Sequence, residues 1–305
     1  MNDDLRDDTV ERLIKLAGPR PAIPADVAAR VKANVHNQWR AEVDARSRSR
    51  FIWALPLAAA IATAIILTIT NRPSAPVTPW IIARVERVSG AAPLSKGQQI
   101  AARSEVATEN GRASVRLADG TSVRIDDHSR VRFLTPHRIA LQAGAVYVTA
   151  AHSGIRVETP YGVVRDIGTR FEVRLTKNLA RVRVRDGVVI VGTHRATRGE
   201  QLAFQSPADV VAEKVRPWGF EWNWTNDVAP DFAIEGARVS DFIVWVANES
   251  GFDVLYDSDA TRQRATRTTL HGSIGKLQPD VAAKAVLPTA GLHATIDEGV
   301  LTVRQ

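Results

Sequence analysis

The chain has 305 residues, 45% hydrophobic and 24% charged, which excludes wholesale disorder and collagen-like repetition and allows two or three domains. It contains no cysteine, so disulfide scaffolds, thiol catalysis and Cys-ligated metal sites are excluded. The net charge of +7 is concentrated in residues 80–231, with 22 Lys/Arg against 16 Asp/Glu; residues 232–305 hold 7 against 9.

Residues 1–50 read as a small helical region. Val10, Leu13, Ile14 and Ala17 recur at helical spacing until Gly18-Pro19 stops them, which predicts a helix over 8–17. Val27, Val31, Val35 and Trp39 follow at i+4 intervals and predict a second helix. Two helices of this size bury too little surface for a core of their own. Their apolar stripes either pack on each other or clasp another protein.

Residues 51–71 carry no charge and are almost wholly apolar, and as a helix they would be about 31 Å long, the thickness of a bilayer's hydrocarbon core. This predicts one transmembrane helix. Arg40, Arg46, Arg48 and Arg50 precede the run and only Arg72 follows, so the amino terminus is expected in the cytoplasm and the bulk outside. Pro56 weakens that helix locally, which fits an ordinary kinked anchor or a helix soft enough for an intramembrane protease to unwind. Residues 72–79 (RPSAPVTP) form a stiff, extended spacer.

From residue 80 to 216 the period switches to two. Alternating runs flank Asp119-Gly120 and again Asp186-Gly187, the strongest short hairpin signal, and Gly144, Gly168 and Gly199 punctuate further strands. An all-β sandwich, roll or short solenoid is expected. Arg112, Arg116, Arg124, Arg130 and Arg132 occur singly along these strands, the pattern of solvated faces, and no direct nucleic-acid partner is expected. Residues 217–231 form a connector with Trp218, Phe220, Trp222 and Trp224 at alternate positions, on one face if extended; such a row seals a seam between domains or meets a partner.

Residues 232–305 read as a small α+β domain in the order β-α-β-β-α-β-β. Strands are expected at 232–234, 252–256, 269–272, 292–296 and 300–303, and helices from a Ser240 cap to Gly251 and over 279–287. The unit of helix, Gly and strand occurs twice. No catalytic, metal or cofactor site is expected, because the seven His are scattered and no HExxH, GxSxG or phosphate-loop spacing occurs. Asp126-Asp127-His128 reads as a turn.

The succession LADGTSVRIDDHSRVRF, ALQAGAVYVTA, VETPYGVVRDIGTRFEV, VRVRDGVVIV and RGEQL resembles FecR-type transmembrane regulators, the anti-sigma partners of extracytoplasmic-function (ECF) sigma factors. Gly168-Thr169-x-Phe171 and the turn at Arg198-Gly199-Glu200 are the most specific pieces. Asp119, Gly120, Gly144, Asp186 and Gly187 complete the family's structural positions. The tail from Phe232 is similar to the small STN domain shared by secretins and the amino termini of TonB-dependent receptors. The resemblance implies a single-pass inner-membrane protein, not an enzyme and without cofactor. Its cytoplasmic stripes (Val10, Leu13, Ile14, Val27, Val31, Val35, Trp39) would bind the sigma factor, its periplasmic tail would receive a signal from an outer-membrane receptor or other envelope protein, and proteolysis would release the inner part. The alternative is a membrane-anchored envelope-binding protein gripping glycan or lipid headgroups through the Trp222/Trp224 face and the basic β domain, with no regulatory role.

Overall fold

The computed structural model of the protein describes residues 24–46, 79–152, 154–275 and 277–305, within two compact units that meet between Val77 and Thr78. The predicted helix over 8–17 and the predicted span over 51–71 lie outside the described residues. Among the described residues no helix is long and apolar enough to cross a membrane.

In the first unit the described element is α1 (Ala25–Arg46). Its 22 residues contain neither Gly nor Pro, Pro24 stands just before its start, and Asp26 in the first turn reaches Arg30 one turn on at 3.0 Å.

The second unit opens with sixteen strands: β1 (Ile81–Ala91), β2 (Gln99–Ala101), β3 (Ser104–Ala107), β4 (Asn110–Leu117), β5 (Ser122–Ile125), β6 (Arg130–Thr135), β7 (Arg138–Ala143), β8 (Ala145–Thr149), β9 (Arg156–Thr159), β10 (Gly162–Asp166), β11 (Arg170–Leu175), β12 (Ala180–Asp186), β13 (Val188–Val191), β14 (His194–Thr197), β15 (Glu200–Ser206) and β16 (Asp209–Lys214). They form two stacked sheets, β16-β15-β12-β11-β8-β5-β4-β1-β2 and β14-β13-β10-β9-β7-β6-β3. Alternation places Val115, Val123, Val148, Phe171, Val182 and Leu202 of the larger sheet against Val131, Phe133, Ile139, Val157, Val164 and Val189 of the smaller. All are essentially inaccessible to solvent. Of the three predicted architectures the molecule is a sandwich.

The two Asp-Gly signals have different outcomes. Asp119-Gly120 closes the β4–β5 hairpin, with Asp119 accepting hydrogen bonds from the Thr121 backbone N–H (2.8 Å) and hydroxyl (3.1 Å). Asp186-Gly187 joins β12 in the larger sheet to β13 in the smaller, so the expected second hairpin is a corner between sheets. Here Gly187 (φ +81°) lies against the corner between β10 and β11, where an added Cβ would stand 2.3 Å from the Gly168 carbonyl oxygen.

The tail contains α2 (Val239–Ser250), β17 (Asp253–Tyr256), α3 (Asp259–Arg267), α4 (Pro279–Val286), a 3-10 turn (Leu287–Ala290), β18 (His293–Asp297) and β19 (Val300–Arg304). β19 is central, parallel to β17 and antiparallel to β18. Several expectations need correcting. Residues 232–234 form no strand, and 269–272 contribute one isolated bridge, Thr269 to Arg238. α2 starts at Val239 behind an Arg238 N-cap with no side-chain cap, so Ser240 lies inside the helix. α3 was not predicted: it buries only Thr261 and Ala265, too little to print an apolar stripe on DATRQRATR. Its signal is the Ser258 N-cap, whose side chain accepts from the Thr261 N–H at 3.1 Å. The repeated helix, Gly and strand are present, with Gly251 and Gly291 both left-handed at the helix ends.

Candidate interaction surfaces

On α1 the four residues at i+4 spacing face outward: Val27 is 39% exposed, Val31 58%, Val35 61% and Trp39 61%. His36 stacks near Trp39, ring centroids 6.4 Å apart. A helix that presents Val, Val and Trp to water has an unfilled hydrophobic requirement, of the kind a groove on another protein fills. Val10, Leu13 and Ile14 lie outside the described residues.

The connector is a 3-10 helix (Phe220–Val228) rather than an extended strand, so the expected single aromatic face does not form. Phe220 points to water while Trp222 and Trp224 are buried against the outer face of the larger sheet. Trp222 is held between two guanidinium groups, Arg185 at 4.4 Å and Arg183 at 4.7 Å from its ring centre. Its Nε1 donates to the Arg216 carbonyl at 3.1 Å, and Trp224 Nε1 donates to Glu172 at 3.1 Å. Trp218 lies under Arg216 (4.7 Å) and so close to the Gly299 turn that an added Cβ there would be 1.9 Å from its Nε1. The glycan-gripping alternative therefore lacks an open platform at Trp222 and Trp224.

The sheet face beneath the connector corrects the expectation that its arginines are solvated. Successive strands align Ser114, Arg124, Tyr147, Glu172, Arg183 and Gln201 in one row. Arg124 is fully buried and pairs in bidentate fashion with Glu249 of α2 (2.7 and 2.9 Å). Burial pulls its pKa down, and the Glu249 carboxylate more than offsets this, leaving it above the usual value. Arg183 is bonded to Glu172 (2.7 Å) and Glu221, and Arg112 is shared among Asp126, Asp127 and Asp227. Asp127 and His128 form the expected turn, and Asp126 beside it joins an ion-pair network with Arg112 (2.8 Å) and Arg174 (2.7 Å).

Four arginines of the sandwich converge on the carboxyl end of α2. Arg170 donates to Asn248 (2.6 Å), Arg185 to the Glu249 carbonyl (2.8 Å) and Arg198 to the Gly251 carbonyl (3.0 Å), beside the Arg124 pair. Cations placed there satisfy the helix's unpaired carbonyls and its negative dipole end. Burial, the larger influence, holds the Arg185 pKa below its usual value. Sequence reasoning missed these seam residues because their partners lie tens of residues away.

The remaining predicted positions build the sandwich. Gly144 (φ +77°) sits where a Cβ would be 2.1 Å from Ser129 Oγ. Thr169 Oγ1 donates to the Val188 carbonyl (2.6 Å), tying the corner after β10 to that before β13, and Phe171 is core. Asp186 pairs with Arg170 at 3.3 Å. Gly199 (φ +75°) donates its N–H to the Val184 carbonyl (3.0 Å). Glu200 accepts from Lys214 (2.7 Å) and from the Thr197 N–H (2.8 Å) and hydroxyl (2.9 Å), which hold its pKa down at about 2. Among the described residues no group of three His, Cys, Asp or Glu could hold a metal ion.

Residues 104–190, from β3 into β13, match the family model described as FecR protein. Two crystal structures, at 1.65 and 2.50 Å resolution, of a candidate anti-sigma factor from Parabacteroides distasonis ATCC 8503 are similar. Each is 16% identical over 66% of this chain and 98% of theirs, with a TM-score of 0.34. No curated protein matches the chain.

Proposed function

We propose that the protein is a single-pass membrane regulator that binds an ECF-type sigma factor on the cytoplasmic side and responds to an envelope signal on the other. The observation that carries the reading is the exposed Val27/Val31/Val35/Trp39 stripe of α1, without an apolar partner among the described residues, in a chain whose residues 104–190 match the FecR family. The uncharged 51–71 run, with its arginine-rich leading flank, supports the topology. In this reading α1 covers sigma-factor surface needed for polymerase. The STN-like tail meets an outer-membrane receptor or another envelope protein, and cleavage within the membrane helix frees the cytoplasmic part. The protein carries no catalytic chemistry of its own.

In-cell cross-linking of the full chain followed by affinity capture tests this. A sigma factor is expected to co-purify with the native sequence, and Val31→Asp is expected to reduce its recovery at least tenfold. A charge buried at a helix–groove contact costs several kcal/mol, and Val31 supports no fold of its own. Recovery of no sigma factor, or equal recovery with Val31→Asp, would remove the reading.

A further inference from the structure

The smaller sheet turns one face to the core and the other to solvent. On the solvent face the register lines up arginines across neighbouring strands. Arg138 on β7 is aligned with Arg156 on β9, Arg156 with Arg165 on β10, Arg165 with Ile190 on β13, and Ile190 with Arg195 on β14. Aligned residues share a face, and their chain neighbours Ile139, Val157, Val164, Val189, Val191 and Ala196 are all core. The row crosses five strands, about 19 Å at the usual strand spacing. Arg130 and Arg132 extend the basic face at one side and share Glu105. Arg138 is bonded to Glu158. Among the described residues, no ion pair forms at Arg156, Arg165 or Arg195, and all three are exposed.

Like charges directly opposite on paired strands destabilise a sheet, so this row costs stability while nothing anionic covers it. Two properties select its partner. Among the described residues the row lies on strands, not on a helix that could enter a groove, and Ile190 rather than an aromatic ring interrupts it, so neither duplex reading nor base stacking is served. The spacer of residues 72–79 is also short. Fully extended, its eight residues reach about 26 Å, which holds the sandwich beside the bilayer into which residues 51–71 are proposed to insert.

We propose that this open arginine face docks on an anionic lipid bilayer, its guanidinium groups meeting lipid phosphates. The proposal rests on the membrane-anchored reading for its geometry and not for its chemistry. Docking fixes which side of the sandwich faces the membrane and leaves the tail, clasped on the opposite sheet, directed away from it.

The chain lacks cysteine, so Ile190→Cys, or Thr193→Cys in the adjoining exposed turn, gives a unique labelling site. The full chain carrying an environment-sensitive fluorophore at either position is reconstituted in vesicles of phosphatidylcholine alone, or of equal parts phosphatidylcholine and phosphatidylglycerol, with a headgroup-borne quencher. Quenching is expected in the anionic vesicles only and is expected to vanish near 1 M salt, where the Debye length falls to about 3 Å. Replacing Arg156, Arg165 and Arg195 by Gln should lower the docked-to-undocked ratio roughly a hundredfold, each cation near such a surface contributing about a factor of five. Replacing the ion-paired Arg130 and Arg132 should lower it less than tenfold. Unchanged thermal melts confirm that the exposed variants fold. Equal quenching in neutral vesicles, or quenching that survives the triple replacement, would overturn the proposal. So would binding of a short DNA duplex that depends on the three arginines while vesicles give no signal. Resistance to alkaline carbonate extraction tests the anchor separately: if the chain is extracted, the anchored reading falls, and the same quenching with vesicles added from outside still decides the docking.

Discussion

The two sheets of the sandwich carry arginines at the same alternating outward positions and use them differently. On the larger sheet the row through Arg124 and Arg183 is interleaved with Tyr147 and Glu172, roofed by the connector, and joined to α2 through Glu249. On the smaller sheet the row from Arg138 to Arg195 contains no carboxylate and has nothing over it among the described residues. An arginine is therefore not a surface residue by type. Where aligned acceptors and a helix end converge, guanidinium groups become the adhesive of a buried seam; where they do not, the same side chain stays open.

The largest expected difference between the faces comes from single truncations. Arg124→Ala leaves Glu249 without its partner in a closed seam and should cost about 3 kcal/mol, read as a shift in the chemical denaturation midpoint. A smaller loss sharpens the contrast between two of the corners that join the sheets. Gly187→Ala should cost more than about 2 kcal/mol, because it is left-handed and its Cβ would strike the Gly168 carbonyl. Gly168→Ala, also left-handed but facing open space, should cost about 1 kcal/mol in the same assay.

Acid should act modestly, through Glu200. Its folded pKa is about 2 against an ordinary 4.5, so its stabilising contribution is complete above pH 4.5 and is lost as the pH falls towards 2. Melting temperatures of Glu200→Gln should therefore be less pH-dependent than the native chain's in that window; identical slopes would mean the Lys214 and Thr197 bonds do not hold the carboxylate. Smallest of all, Arg165→Gln should change stability by no more than about 0.5 kcal/mol, with a gain the favoured sign because it relieves the facing Arg156. A loss near that of Arg124→Ala would erase the distinction between the faces.

Much of the sandwich was legible because alternation and turn chemistry are local. Val115, Leu117, Val123 and Ile125 announce two strands, and Asp119-Gly120 announces their turn. The same dipeptide at 186–187 was misread, because a turn signal says that the chain reverses and not which sheet receives it. Alternation likewise placed Arg112 and Arg124 on an outer face, but only the distant Asp227 and Glu249 determine that this face is covered. The row of arginines on the smaller sheet was hidden for a related reason: Arg138, Arg156, Arg165 and Arg195 are far apart in sequence and become neighbours only through register. In the tail, α3 escaped because its polar sequence is tied down by a cap rather than by burial.

The middle position of β19 also sets an order of events at the ribosome. Neither β17 nor β18 has a pairing strand until residues Val300–Arg304 emerge, whereas the sandwich has its last strand once Lys214 has emerged, some 90 residues earlier. At ordinary rates of synthesis that interval is roughly 5–20 s. For the first part of it, until α2 emerges with Ser250 some 36 residues after Lys214, the nascent sandwich displays Arg124 without the Glu249 that will neutralise it.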